Sequence, residues 1–169
     1  RYMKLLEIVP GADTKQEVVD TLVAFGRDVL GTGIVFGKDT TNFIANRIGV
    51  HGMMTIMHNM AKFDMRVEDV DVIFGKPMGR PKSAVFRTAD VVGLDTFVHV
   101  ATNCYDTLED DEERDLFKVP DFMMQLVEKG WTGSKAKQGF MRKGKDGIEV
   151  IDFANLEYRP REKKDFAST

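Results

Sequence analysis

Residues 38–47 have the sequence KDTTNFIANR, and the hydrophobic pattern of the chain changes at this point. From here to about residue 130, apolar residues recur at helical spacing and no stretch alternates as a strand does. The clearest stripe is formed by Phe43, Ile44, Ile48, Met54, Met57 and Met60. This stripe predicts one helix over about 41–62, roughly 30 Å long at ~1.5 Å per residue.

The segment before this change has the pattern of a strand, a helix and a second strand. Apolar runs at Met3–Val9 and Ile34–Phe36 are typical of short strands. Between them, Thr14–Glu17 matches a capping box, and Gly31 is placed to end the helix in a left-handed turn. The pattern predicts a βαβ crossover that is too small to bury both of its faces.

Shorter helices are predicted further along, at about 67–74, 81–92, 95–107 and 120–129. Pro81 occupies a favoured first helical position, Asp95 a favoured N-cap position, and Gly75, Gly93 and Gly130 stand where helices end. After Trp131 the chain is basic and rich in glycine, and 139–141 and 147–151 can pair as a hairpin. The charged segment 158–164 contains Pro160, which favours a linker or tail over a packed element.

Composition excludes several classes of protein. With 43% hydrophobic and 30% charged residues, the 169-residue chain has the balance of a soluble globular protein, and no apolar run is long enough for a membrane span. The net charge of -3 favours neither a nucleic acid nor an anionic membrane as a partner. The one cysteine, Cys104, lies in an apolar helical stretch, which indicates a buried thiol in a reducing compartment and a cytoplasmic protein.

The histidines do not predict a metal site. His51 and His58 are two helical turns apart, too far for one metal centre without further ligands, and His99 is isolated.

Four strings, in order along the chain, are similar to one protein family. They are Met3–Pro10 (MKLLEIVP), Lys38–Arg47, Asp90–Asp95 (DVVGLD) and Gly130–Phe140 (GWTGSKAKQGF). Over roughly residues 1–142 the chain resembles the 3-hydroxyacyl-CoA dehydrogenases. The tail, with LEYRP at 156–160, resembles the larger multifunctional members, in which an enoyl-CoA hydratase domain is joined to the dehydrogenase.

This resemblance implies a mainly α fold: the helical C-terminal domain of the family, preceded by a βαβ remnant of a Rossmann domain. The implied boundaries are 1–37 for the end of the NAD-binding domain, 38–142 for the helical domain and 143–169 for a hairpin and linker tail. The family oxidises (S)-3-hydroxyacyl-CoA to 3-ketoacyl-CoA with NAD in fatty-acid β-oxidation. The resemblance therefore implies an acyl-CoA substrate and a homodimer.

Two residues are candidates for catalysis on the same ground. Glu7 falls where the family places the carboxylate that orients the catalytic histidine, and that histidine is expected upstream of Arg1. Asn46 falls on the family's asparagine that hydrogen-bonds the substrate oxygen or holds the catalytic pair. The structural alternatives are a strand-end surface carboxylate for Glu7 and an ordinary polar helix residue for Asn46.

The nucleotide site is not predicted within this chain. Gly31-Thr32-Gly33 precedes a strand and lacks a correctly spaced third glycine, which indicates a turn and not a phosphate loop. No cofactor-binding residue is predicted, and we expect the chain by itself to be inactive. The alternative hypothesis is a non-catalytic helical dimerisation or interaction module that binds neither CoA nor NAD.

Other groups allow two interpretations each. Thr41 stands where many family members have proline, so the first turn of the long helix is less fixed. The methionines at 53, 54, 57 and 60 suit an adaptable acyl groove or plain core. Arg80 and Lys82, and the basic cluster at 135–145, suit CoA phosphates or exposed, solvated loops.

Overall fold

The structure is a computed structural model that describes residues 3–162 and Phe166. The chain divides into two compact units, Arg1–Gly49 and Val50–Thr169. The domain boundaries drawn from the family resemblance, after residues 37 and 142, stay a prediction.

The first unit contains the predicted βαβ crossover. Strand β1 (Leu5–Ile8), helix α1 (Gln16–Ala24) and strand β2 (Gly33–Phe36) follow in order, and α1 continues as a π-helical turn over Phe25–Val29. The strands pair in parallel, with β1 and β2 in register from end to end. Gly31 has a φ of 66°, so the predicted left-handed helix end is confirmed.

The predicted capping box before α1 is wrong. The Thr14 hydroxyl accepts a hydrogen bond from the Gly11 amide at 3.0 Å, while the Thr14 amide donates to the Gly11 carbonyl at 3.1 Å. This reciprocal turn uses the Thr14 side chain, and Lys15 becomes the N-cap residue without a side-chain cap bond.

The long helix begins later than the hydrophobic stripe predicts. Helix α2 spans Ala45–Met60, and residues 41–44 form a turn. Asn42 and Phe43 have φ values of 58° and 51°, a left-handed conformation that a right-handed helix cannot include. Phe43 is consequently exposed, as is Ile48, whereas the methionines further along α2 are buried.

The second unit contains helices α3 (Val67–Ile73), α4 (Phe86–Val92), α5 (Leu94–Thr107) and α6 (Asp121–Glu128). Single 3-10 turns lie between them, at 61–63, 76–78, 114–117 and, after α6, 134–136. Between Phe36 and Met141 the described residues contain no β-strand, so the prediction of a mainly α fold is confirmed.

Two helix-end predictions in this unit are wrong. Helix α4 begins at Phe86 and not near Pro81, because residues 82–85 form a turn in which Ala84 is left-handed, with a φ of 50°. The N-cap of α5 is Gly93, which places Asp95 inside the first turn. The prediction for Gly75 is confirmed, because it follows the end of α3 and an added Cβ lies 2.5 Å from the Asp71 carbonyl oxygen.

A single apolar core organises the second unit. Its fully buried side chains include Phe86, Leu94, Met123, Leu126 and Phe140. The rings of Phe86 and Phe140 meet edge to face with centroids 4.8 Å apart. Residues Met53, Met54, Met57 and Met60 all belong to this core, which favours the plain-core interpretation of the methionines.

The chain ends in a three-stranded antiparallel sheet. Its strands are β3 (Met141–Lys143), β4 (Ile148–Asp152) and β5 (Glu157–Pro160), in the order β3-β4-β5. The predicted hairpin of β3 and β4 is confirmed. The interpretation of 158–164 as an unpacked tail is wrong for 158–160, because β5 pairs with β4 along its length. Lys163 and Lys164 lie outside the described residues.

Candidate functional site

The Glu7 carboxylate is fixed at the beginning of α2. Its Oε1 accepts a hydrogen bond from the Ile44 amide at 2.7 Å, and its Oε2 accepts one from the Ala45 amide at 3.3 Å. The first amides of a helix have no partner within the helix and carry partial positive charge. Glu7 satisfies two of them from a strand 37 residues away in sequence. Glu7 is therefore a partly buried carboxylate that caps a helix, and its catalytic role stays a prediction.

The local sequence explains how the carboxylate reaches these amides. Gly37 follows β2, and a Cβ added to it lies 3.0 Å from Glu7 Oε1, so a side chain at this position crowds the carboxylate. The left-handed residues Asn42 and Phe43 then turn the chain so that the next two amides point at Glu7.

Asn46 is the second residue of α2, directly after Ala45, and it is exposed. Among the described residues, no hydrogen bond joins the Asn46 side chain to Glu7. The structure thus brings Glu7 to the N-terminus of α2, the helix that carries Asn46. The side-chain amide of Asn46 is exposed, and no hydrogen bond to Glu7 fixes its orientation.

The residues described in this chain do not fit the diphosphate of NAD. A Rossmann phosphate site needs a glycine-rich turn between the first strand and the N-terminus of a helix. The turn between β1 and α1 has one glycine, Gly11, whose amide donates to Thr14, and Pro10 before it has no amide to offer. The predicted turn at Gly31-Thr32-Gly33 is confirmed, since the Thr32 amide and hydroxyl both bond the Gly26 carbonyl.

A buried carboxylate that the sequence analysis left without a role lies on α4. Asp90 accepts hydrogen bonds from the Phe140 amide at 2.8 Å and the Met141 amide at 2.9 Å, and burial raises its pKa to about 6. Cβ atoms added to Gly133 and Gly139 collide with the backbone or carboxylate of Asp90. These contacts join the DVVGLD and GWTGSKAKQGF strings into one structural unit. An acid between the apolar residues Ala89 and Val91 was the signal available in the sequence.

Two of the three histidines have protein partners. His51 Nε2 lies 2.7 Å from a Glu113 carboxylate oxygen, and His58 Nε2 lies 3.1 Å from the Leu116 carbonyl oxygen. Within the part of the chain that the structure describes, no three histidine, cysteine or acidic residues are grouped as a metal site requires. In the same part of the chain, no helix combines the length and the apolar character needed to cross a bilayer.

Residues 43–143 match the family model described as 3-hydroxyacyl-CoA dehydrogenase, C-terminal domain. The chain belongs to this family. It is 51% identical over 163 residues, 96% of its length, to a probable 3-hydroxyacyl-CoA dehydrogenase of Bacillus subtilis. It is 28% identical over 172 residues to a putative fatty acid oxidation complex trifunctional enzyme of Rickettsia prowazekii, a match that covers 99% of the chain.

Solved structures share the fold of this chain. The crystal structure of M. tuberculosis FadB2 superposes with a TM-score of 0.72 over 85% of this chain, at 24% sequence identity. The chain spans only part of each of these proteins: 20% of the Bacillus protein, 24% of the Rickettsia protein and 48% of the FadB2 chain.

Proposed function

We propose that this chain is part of an NAD-dependent 3-hydroxyacyl-CoA dehydrogenase that oxidises (S)-3-hydroxyacyl-CoA to 3-ketoacyl-CoA in fatty-acid β-oxidation. Membership of the family and the printed names of the relatives support the reaction class. The observation that carries the proposal is the Glu7 carboxylate, bonded to the Ile44 and Ala45 amides and therefore held in one orientation.

In this proposal Glu7 and Asn46 assist the transfer of the substrate's hydroxyl proton to a histidine. Oxidation of the substrate requires loss of the hydroxyl proton, which a histidine N-terminal to Arg1 takes as general base. Glu7 accepts the other ring N–H of that histidine, which orients the imidazole and stabilises the imidazolium formed. Each carboxylate oxygen has two lone pairs, so the bonds to the helix amides leave capacity for this third donor. Asn46, one residue beyond Ala45, donates its side-chain amide to the substrate oxygen.

The proposed function also requires other domains of the parent protein and a second subunit. NAD is bound by a Rossmann domain upstream of Arg1, and an enoyl-CoA hydratase domain belongs to the same parent chain. The Rickettsia relative, which is named a trifunctional enzyme, supports the presence of further domains in the parent. The helical unit closes the acyl-CoA cleft and carries the contact of a homodimer. Cys104 is the one cysteine of the chain and is fully buried, which agrees with a reducing cytoplasm.

The role of Glu7 is tested in the full-length protein that contains this chain. Glu7→Gln keeps an oxygen for the Ile44 amide but removes the charge, so we expect kcat for acetoacetyl-CoA reduction to fall by about 10²- to 10⁴-fold. The matched control is Glu17→Gln, an exposed carboxylate on α1. A Glu7→Gln enzyme with the parent's kcat and pH profile contradicts the proposed role.

The 169-residue chain by itself separates the proposed function from the interaction module. We expect no NADH-dependent reduction of acetoacetyl-CoA, because the residues described here do not fit the nucleotide. Calorimetric titration with CoA and acetoacetyl-CoA, beside light scattering for mass, tests the cleft. Binding of CoA supports a substrate role, whereas a dimer that binds no CoA favours the module. Clear turnover contradicts the expected inactivity.

A further inference from the structure

A cavity of about 310 Å³ opens on the second unit, and half of the residues that line it are charged. It is formed by parts of the chain that are distant in sequence: α3, the 3-10 turn at 76–78, the start of α4, β3, and the residue that follows β5. Its lining includes the cationic side chains of Lys76, Lys82, Arg87 and Arg161.

None of these four cations forms an ion pair with another residue in the described part of the chain. Two acids on the same segments are already paired with other cations. Glu68 is held by Arg159 at 2.6 Å, and Glu162 is held by Arg66 at 2.7 Å. Four like charges around one cavity repel each other, and a bound anion relieves that repulsion.

The one acidic side chain in the lining, Asp71, accepts hydrogen bonds from backbone amides. Its Oδ1 accepts hydrogen bonds from the Val85 amide at 3.0 Å and the Phe86 amide at 2.9 Å. These bonds fix the end of the turn between Lys82 and Arg87. Asp71 therefore builds the cavity and compensates for at most one of its cations.

The main chain that carries the cations is also fixed. The Arg161 amide donates to the Ile148 carbonyl at 3.0 Å, which continues the β4–β5 ladder as far as the cavity. Gly75 packs so closely that an added Cβ lies 2.5 Å from the Asp71 carbonyl oxygen, and this holds the turn with Lys76 against α3. The cations thus project from rigid elements and not from one flexible loop.

We propose that this cavity binds a phosphomonoester or pyrophosphate anion. Arginine forks bind phosphate oxygens in pairs and lysines supply point charges, so the four side chains suit a ligand with two or more negative charges. The volume accommodates a phosphate or pyrophosphate group together with its water. The phosphate can be the 3′-phosphate of CoA, in which case the site rests on the proposed function, or free pyrophosphate, in which case it does not.

The test is calorimetric titration of the 169-residue chain with sodium pyrophosphate, at low salt so that exposed charges are weakly screened. The pocket variant is Lys82→Gln with Arg87→Gln. The control variant is Lys143→Gln with Lys145→Gln, which removes the same charge from the β3–β4 turn. We expect the pocket variant to bind at least about tenfold more weakly than the parent, and the control to stay within about twofold.

Further titrations identify the source of the phosphate. CoA that binds with the same dependence on Lys82 and Arg87, while dephospho-CoA does not, supports the site and assigns it to the 3′-phosphate. Pyrophosphate binding with no such dependence for CoA supports the site and assigns it to a free anion. The proposal is overturned if pyrophosphate does not bind, or if the pocket and control variants lose affinity equally. Unchanged melting temperatures establish that both variants are folded.

Discussion

At Gly139, the absence of a side chain lets the backbone lie directly against the Asp90 carboxylate. Gly139→Ala places a Cβ in collision with Asp90 Oδ1 and with Gly133, and neither is the free end of a flexible side chain, because Asp90 is held by the next two amides. We expect a loss of at least about 2 kcal/mol in the free energy of unfolding, measured by urea denaturation.

A matched glycine gives the opposite result. Gly49 lies within α2, and an added Cβ there meets nothing within 4 Å. Gly49→Ala should stabilise the protein by up to about 1 kcal/mol, since alanine favours a helix interior more than glycine does. Equal effects of the two substitutions would show that Gly139 is not constrained by Asp90.

At the scale of elements, one ion pair joins β5 to α3. The Arg159 guanidinium donates to both oxygens of Glu68, at 2.6 and 3.0 Å, and the Glu68 side chain is only 1% exposed. Burial alone raises the pKa of Glu68, but the hydrogen bond and charge of Arg159 outweigh it, so the pKa lies below its usual value. The pair therefore keeps an otherwise unfavourable buried charge ionised.

Removal of Arg159 should destabilise the protein, because the buried charge of Glu68 then has no cation beside it. Arg159→Ala leaves Glu68 without its cation, and we expect a loss of about 3 kcal/mol in the free energy of unfolding. Arg66→Ala is the control, because its pair with Glu162 is largely exposed and should contribute less than about 1 kcal/mol. Urea denaturation of both variants measures the difference, and comparable losses contradict a special role for the β5 contact.

These elements also show what the sequence could predict. Apolar periodicity located the five main helices after residue 40 and the βαβ crossover, since those signals are local. Helix starts failed at Asn42, Phe43 and Ala84, which are left-handed without being glycine and are held so by the surrounding structure. Strand β5 was missed because its own sequence is charged and contains Pro160, although its partner β4 lies only a short turn before it.

The candidate site divides in the same way. Glu7 and Asn46 were named because their local strings resemble those of the family. The hydrogen bond from the Ile44 amide to Glu7 depends on the left-handed turn at 42–43, which those strings do not predict. Of the cationic cavity, only Lys82 was named from the sequence as a candidate for phosphate binding. Its four cations come from separate segments, and only the fold brings Arg161 beside Arg87.

At the scale of the whole molecule, stability should depend on pH through its buried carboxylates. Burial raises the pKa of Asp90 to about 6, with the charge of Asp71 acting in the same direction, and burial also raises the pKa of Asp71. A carboxyl whose pKa is higher in the folded protein stabilises it when protonated, and this contribution is lost as the pH rises through the folded pKa. The lowered pKa of Glu68 acts in the opposite direction, as the pH falls below about its usual 4.5.

Between pH 4.5 and 7, Asp90 therefore titrates while the ion pair of Glu68 stays intact. Asp90→Asn removes the titrating group, so the stability of the parent relative to this variant should decrease by about 2 kcal/mol as the pH rises from 4.5 to 7. Urea denaturation at intervals across this range measures it, with the exposed Asp110→Asn as the control for loss of one carboxylate. A parent and Asp90→Asn difference that is constant with pH would show that Asp90 is already ionised at pH 4.5, held so by the Phe140 and Met141 amides against the cost of burial.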